Sequence, residues 1–185
     1  DQIMATEDSS NEFRPVQGFE ESQGLKWFCA PDSWKNTTED SREGKDGWWK
    51  IENKKLLISP PAMKDFWRKT YYDPLMVKDD GPFLYSTIHT KNLPATIETS
   101  FSLTPKCQFD QAGIFIRLDA EHWIKTGIEV VDEKPRLSCV VTNGFSDWST
   151  QTWSEPQVKI RVHILPQNEE SFVVEAAPMD SNDEW

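Results

Sequence analysis

The feature that most constrains this chain is a period-two pattern between residues 112 and 143. In AGIFIRLDAEHWIKTGIEVV, Ile114, Ile116 and Leu118 alternate with Phe115, Arg117 and Asp119. Ile124, Ile128 and Val130 then alternate with Trp123, Lys125, Gly127 and Glu129. Side chains that change face at every residue define a strand, whereas a helix needs a 3.6-residue period. In RLSCVVTN the apolar set continues as Leu137, Cys139 and Val141. Keeping all these apolar residues on one face predicts a three-stranded meander, because a slip of one residue would turn every one of them to water. The register expected on this basis sets Asp119 opposite Trp123, Ile114 opposite Ile128 and Val131 opposite Arg136. The turns then fall at Ala120–His122 and Asp132–Pro135.

No helical period is sustained elsewhere. LKWFCAP (25–31) predicts a short first strand, and WWKIENKKLLIS (48–59) a hairpin turning at Glu52–Lys54. FLYSTIHT (83–90) and ATIETSFSL (95–103) read as strands joined across Lys91–Pro94. Turn signals recur every ~8–12 residues, which predicts an all-β domain. The chain has 185 residues, enough for one domain with a proper core. Residues 1–23 are rich in Glu, Asp, Ser and Gln and read as a flexible acidic arm, residues 32–47 as a polar loop, and 24–185 as the β domain.

Composition removes several functions. The net charge of −11 repels phosphate backbones and anionic bilayers, so neither nucleic acid nor membrane is an expected partner. No apolar run reaches the ~18 residues of a membrane-spanning helix. Cys29, Cys107 and Cys139 are far apart and odd in number, which fits neither a disulfide framework nor a zinc site. A reducing compartment follows, with the NTT triplet at Asn36 as the one counter-signal. His89, His122 and His163 stand alone, so no metal and no cofactor is expected.

Nine tryptophans require several partly buried platforms, which are either core corners or stacking surfaces. The meander sets Arg117, Asp119, Trp123, Lys125 and Glu129 on one face. The turn after Asn143 then brings Asp147 and Trp148 in GFSDWS beside His122 and Trp123. These eight residues form a candidate ligand patch, in which rings stack on the C–H face of a sugar and polar groups hold its hydroxyls. In the competing reading Trp123 and Trp148 pack together and cap the domain. Phe66, Trp67, Tyr71 and Tyr72 in DFWRKTYYDP form a second aromatic cluster, a stacking wall or a strand packed on both sides. No catalytic pair emerges: a glycosidase needs carboxyl groups about 5 Å or about 6.5–9.5 Å apart, and Asp119 and Glu129 lie about 20 Å apart along the expected ladder.

DFWRKTYYDP followed by DDGPFLY, then DQAGIFIRLDAEHWIKTGIE and RLSCVVTNGFSDWS, together resemble the DUF1349 (regulation-of-enolase) family. The Asp-Gln-Ala-Gly segment and the Ser-Asp-Trp-Ser stretch are the most specific motifs, and the resemblance runs from about Leu25 to the end. It implies a two-sheet antiparallel β-sandwich, jelly-roll in type and concanavalin A-like. It implies a cytoplasmic protein without established catalytic activity. Family members usually continue past the position of Trp185, which implies a fragment or a sandwich without its closing strands, and the insert at 35–46 is longer than usual. Two functions remain open: a regulatory or interaction module in carbohydrate metabolism with a protein partner, and a lectin-like module for a small glycan. A glycoside hydrolase is the third.

Overall fold

The computed structural model describes residues 26–28, 49–53, 55–89, 92–165, 171–181 and 185. The acidic arm expected over 1–23 and the loop expected over 32–47 lie outside the described residues. Thirteen strands run in chain order: β1 (Lys26–Phe28), β2 (Trp49–Glu52), β3 (Lys55–Ile58), β4 (Phe66–Arg68), β5 (Val77–Asp79), β6 (Phe83–Tyr85), β7 (Ala95–Ser102), β8 (Gln111–Arg117), β9 (His122–Val131), β10 (Lys134–Asn143), β11 (Ser146–Thr152), β12 (Gln157–Leu165) and β13 (Ser171–Ala177). No α-helix is present among the described residues.

The chain divides into two compact units. The first holds the described residues up to Pro61 together with Leu84–Ser86. In it β2 and β3 form the expected hairpin, with Asn53 in the left-handed region at φ 52°, and β1 pairs with β6. The Trp27 and Trp49 rings lie 6.2 Å apart, and Trp49 is buried. The strand expected over 83–90 ends at Tyr85, and it pairs with β1 instead of continuing toward β7.

The second unit holds a β-sandwich. One sheet has the order β11-β10-β9-β8 and the other β13-β12-β7, all neighbours antiparallel. Strand β12 shows the required alternation: Val158, Ile160, Val162 and Ile164 are buried and the residues between them are not. Ile160 and Val162 pack on Ile114, with Ile97, Phe101, Ile116 and Phe172 around them. Each such side chain contributes about 1.5–3 kcal/mol on burial, so this inter-sheet layer stabilises the unit.

The meander of β8, β9 and β10 forms with the expected faces but a different register. Arg117, not Asp119, lies opposite Trp123, and Thr126, not Ile128, lies opposite Ile114. Val131 pairs with Lys134 instead of Arg136. The turn is therefore only Asp132–Glu133, and both residues take positive φ, 52° and 62°. Such a tight turn matches the twist of a hairpin and is usually signalled by Asn-Gly or Asp-Gly; Asp-Glu gives no such signal. Both shifts are of two residues, so each face keeps its side chains.

Candidate functional site

The outer face of the four-stranded sheet, read from the sequence as either a ligand patch or a cap of Trp123 packed on Trp148, is in large part covered. Strands β4 and β5 pair with each other and lie over it. Phe66 stacks on Phe115 with ring centroids 4.4 Å apart, and Trp123 meets Phe115 edge-on at 5.4 Å. Phe83 closes the cluster, 5.6 Å from Phe66 and 5.0 Å from Phe115. Trp123 is only 4% exposed, so it is a core residue and offers no stacking face. A Cβ at position 81 would sit 2.4 Å from the Phe66 ring, so Gly81 is what lets that ring seat.

The expected polar residues separate into clamps, a turn and a buried acid. Arg117 makes an ion pair with Asp79 of β5. Lys125 Nζ donates to Asp65 Oδ1 at 2.7 Å, and the same oxygen accepts from Gln111 Nε2 at 3.1 Å. These contacts fix the β4–β5 layer to the sheet. Asp119 Oδ1 accepts from the backbone N–H of Glu121 at 2.7 Å and of His122 at 2.9 Å, with His122 Nδ1 also at 2.9 Å. The Glu121 N–H and the His122 ring hold the exposed Asp119 carboxyl below its usual range. The pair shapes a turn in the sequence where a sugar reader was expected. Asp147 pairs with Val141 and so lies on the opposite face from Trp148, which pairs with Val140. Trp148 belongs to strand β11, not to a loop, and Val140 separates it from Lys125. The loop at 143–145 does adjoin the 119–122 turn, as expected: the Gly144 N–H donates to the Glu121 carbonyl at 2.8 Å.

Glu129 is the unusual group on this face. It is 6% exposed, and Ser138 Oγ donates to its Oε2 at 2.6 Å. The Trp148 indole N–H in turn donates to Ser138 Oγ at 2.9 Å. Burial pushes the Glu129 carboxyl above its ordinary value of 4.5, and the Ser138 hydrogen bond and the Lys125 charge offset only part of this. From pH 4.5 up to that raised value, the folded state keeps a proton that the unfolded chain has released. Stability contributed at this site therefore falls as pH rises through the window. Glu129→Gln removes the titration and keeps an acceptor for Ser138. Its urea stability, relative to the parent chain, is expected to improve as pH rises from 4.5 through that window and to level off above it. An unchanged difference across that range would show that Glu129 carries no such penalty.

Among the described residues, the most exposed aromatic surface lies at the 119–122 end of the sheet, on residues 69–75. Of the second cluster, Phe66 is buried and Trp67 half-buried, whereas Tyr71 is 99% exposed and Tyr72 is also exposed. The two tyrosine rings meet edge-on at 5.1 Å. The buried Thr70 holds this loop: its Oγ1 donates to the carbonyls of Tyr72 (2.9 Å) and Pro74 (3.2 Å) and accepts from the Met76 N–H (3.0 Å). The loop is tied to the sheet end at three points. The Arg68 N–H donates to Ser146 Oγ at 2.9 Å, the Arg68 guanidinium pairs with Glu121, and Lys69 Nζ lies 4.3 Å above the exposed Phe145 ring. Tyr71, Tyr72 and Phe145 thus stand out on a fixed base. Phe145 was legible as a ring following Asn-Gly in a turn, but its partnership with Lys69 joins segments far apart in sequence.

A β-sandwich with these motifs is the fold expected of the regulation-of-enolase class, and comparison with known proteins agrees. Residues 27–184 match the family described as protein of unknown function DUF1349, and the chain belongs to that family. It is 31% identical over 150 residues to "Regulation of enolase protein 1" of Saccharomyces cerevisiae, covering 71% of this chain and 69% of that protein. It is 31% identical over 98 residues to an uncharacterized protein of Emericella nidulans, covering 51% of this chain and 47% of that one. Among solved structures it is similar to a functionally unknown protein from Saccharomyces cerevisiae, with a TM-score of 0.55 and 27% identity, covering 86% of this chain and 81% of the other. Among the described residues no helix is long and apolar enough to cross a membrane, and no His/Cys/Asp/Glu group could hold a metal ion.

Proposed function

We propose that this chain is a non-catalytic, cytoplasmic recognition module in the control of enolase, and that it engages a protein partner through Tyr71, Tyr72 and Phe145. The family relationship to a regulation-of-enolase protein supports the regulatory reading. The observation that carries the recognition surface is the full exposure of Tyr71 on a loop whose backbone Thr70 fixes from within. Exposed apolar rings on an ordered loop carry no folding advantage. They do suit binding, because tyrosines dominate interface hot spots and a fixed loop lowers the ordering cost of association. Of the candidate carboxylates, Asp119 is engaged in a turn and Glu129 in the buried pair with Ser138, which supports a non-catalytic role.

The chain is expected to bind the enolase of its own organism in a calorimetric titration. Tyr71→Ala with Tyr72→Ala should weaken binding at least ~10-fold, about 1.4 kcal/mol, and leave the melting temperature unchanged. Undiminished binding by the double variant would overturn the reading. The second reading is glycan recognition by the same rings. The concanavalin A-like, jelly-roll lineage implied by the family and the free Tyr71 face favour it, since such a ring suits the C–H face of a sugar. A saccharide that binds the parent chain and not Tyr71→Ala would decide for it.

A further inference from the structure

We infer that Phe109 and Trp148 form the two walls of a binding site for an organic ammonium cation, with the Glu129 carboxylate behind them. The site is separate from the Tyr71 loop and stands or falls independently of the reading above.

The first observation is the Phe109 backbone, at φ 67°. A bulky aromatic residue in the left-handed region is a genuine outlier, and such strain costs about 1–3 kcal/mol. Burial does not offset this, because Phe109 is 53% exposed. The surrounding loop nevertheless enforces the conformation. The Phe109 N–H donates to the Val130 carbonyl at 2.9 Å, and the Val130 N–H donates to the Asp110 carbonyl at 3.0 Å. Asp110 Oδ2 also accepts the N–H groups of Lys106 (2.7 Å) and Cys107 (2.9 Å). The ring is therefore held in the open at some cost, which is the pattern of a ligand clamp.

The second observation is what Phe109 meets. Its ring and that of Trp148 are 6.4 Å apart at 76°, a near-right-angled corner. Trp148 is 38% exposed, and its N–H is fixed on Ser138, which leaves ring surface free. Aromatic faces attract cations, and corners of rings recognise quaternary ammonium groups.

The third is charge. Glu129 stands behind the indole through Ser138, and the whole chain carries −11. Of the nearby cations, Lys125 is paired with Asp65, and Arg136, which faces Glu129 across the ladder, directs its guanidinium to Thr152 Oγ1 at 3.2 Å and keeps its charge. A sugar fits the corner less well. Ser138, the hydroxyl lying there, already donates to Glu129 and accepts from Trp148.

The test uses the intact chain and choline as probe, followed through the indole N–H resonance of Trp148, with 3,3-dimethyl-1-butanol as the neutral isostere. Choline should shift that resonance and saturate in the millimolar range. The isostere should bind about 10-fold more weakly. Phe109→Gly should abolish the choline response while holding or raising the melting temperature, because glycine accepts this backbone without strain. Glu129→Gln should weaken choline binding and leave the isostere unaffected. No response to choline, equal binding of the two compounds, or a Phe109→Gly chain that still binds would each overturn the site. A Phe109→Gly chain that melts earlier would also overturn it, since the ring would then serve packing.

Discussion

Gly127→Ala is expected to unfold the sandwich or to cost about 4 kcal/mol or more, a large share of the 5–15 kcal/mol that holds a typical domain together. Gly113 and Gly127 face each other across β8 and β9. A Cβ at Gly127 would lie 2.0 Å from the Ala112 carbonyl oxygen, and one at Gly113 would lie 2.0 Å from the Thr126 carbonyl oxygen. The obstacles are backbone atoms in the middle of a sheet, and they cannot retreat without breaking the ladder. Gly113→Ala should behave alike, and the double variant should be no better than either. Urea denaturation checks this. A Gly127→Ala midpoint close to that of the parent would mean that the strands do not approach as closely as described.

Trp123→Ala is the second large effect, an expected loss of about 3–5 kcal/mol. The ring fills the layer between the sheet and β4, against Phe66 and Phe115, and removing it leaves a cavity that flat neighbouring rings fill poorly. Trp123→Phe should retain most of the stability. Chemical denaturation with tryptophan fluorescence measures both. A fully stable Trp123→Ala chain would return Trp123 to the surface patch that was one of its two readings from the sequence.

Alternation alone made the meander and its faces legible, because period two is set by backbone geometry and survives a register shift of two. The register itself was not legible. It depended on Asp132 and Glu133 adopting left-handed conformations that their side chains do not announce. The site was harder to read for a different reason. Alternation shows which residues share a face but not what covers that face, and the cover here comes from Asp65, Phe66 and Asp79, some 38 to 60 residues away in the chain. Trp123, Arg117 and Lys125 therefore read as a ligand patch and serve as core and clamps. In the aromatic run that includes Phe66 and Tyr71, composition could not say where the strand stops. It stops at Arg68, and Thr70 then turns the chain outward. Phe109 carried no sequence signal, since its interest lies in a backbone angle.

Photo-crosslinking tests the proposed recognition surface most directly. A benzoylphenylalanine in place of Tyr71, irradiated with the purified enolase of the same organism, should give a single adduct. The same group in place of the exposed Val173, on the other sheet, should give none. No adduct from position 71, or equal yields from the two positions, would contradict a partner held by the Tyr71–Tyr72–Phe145 surface.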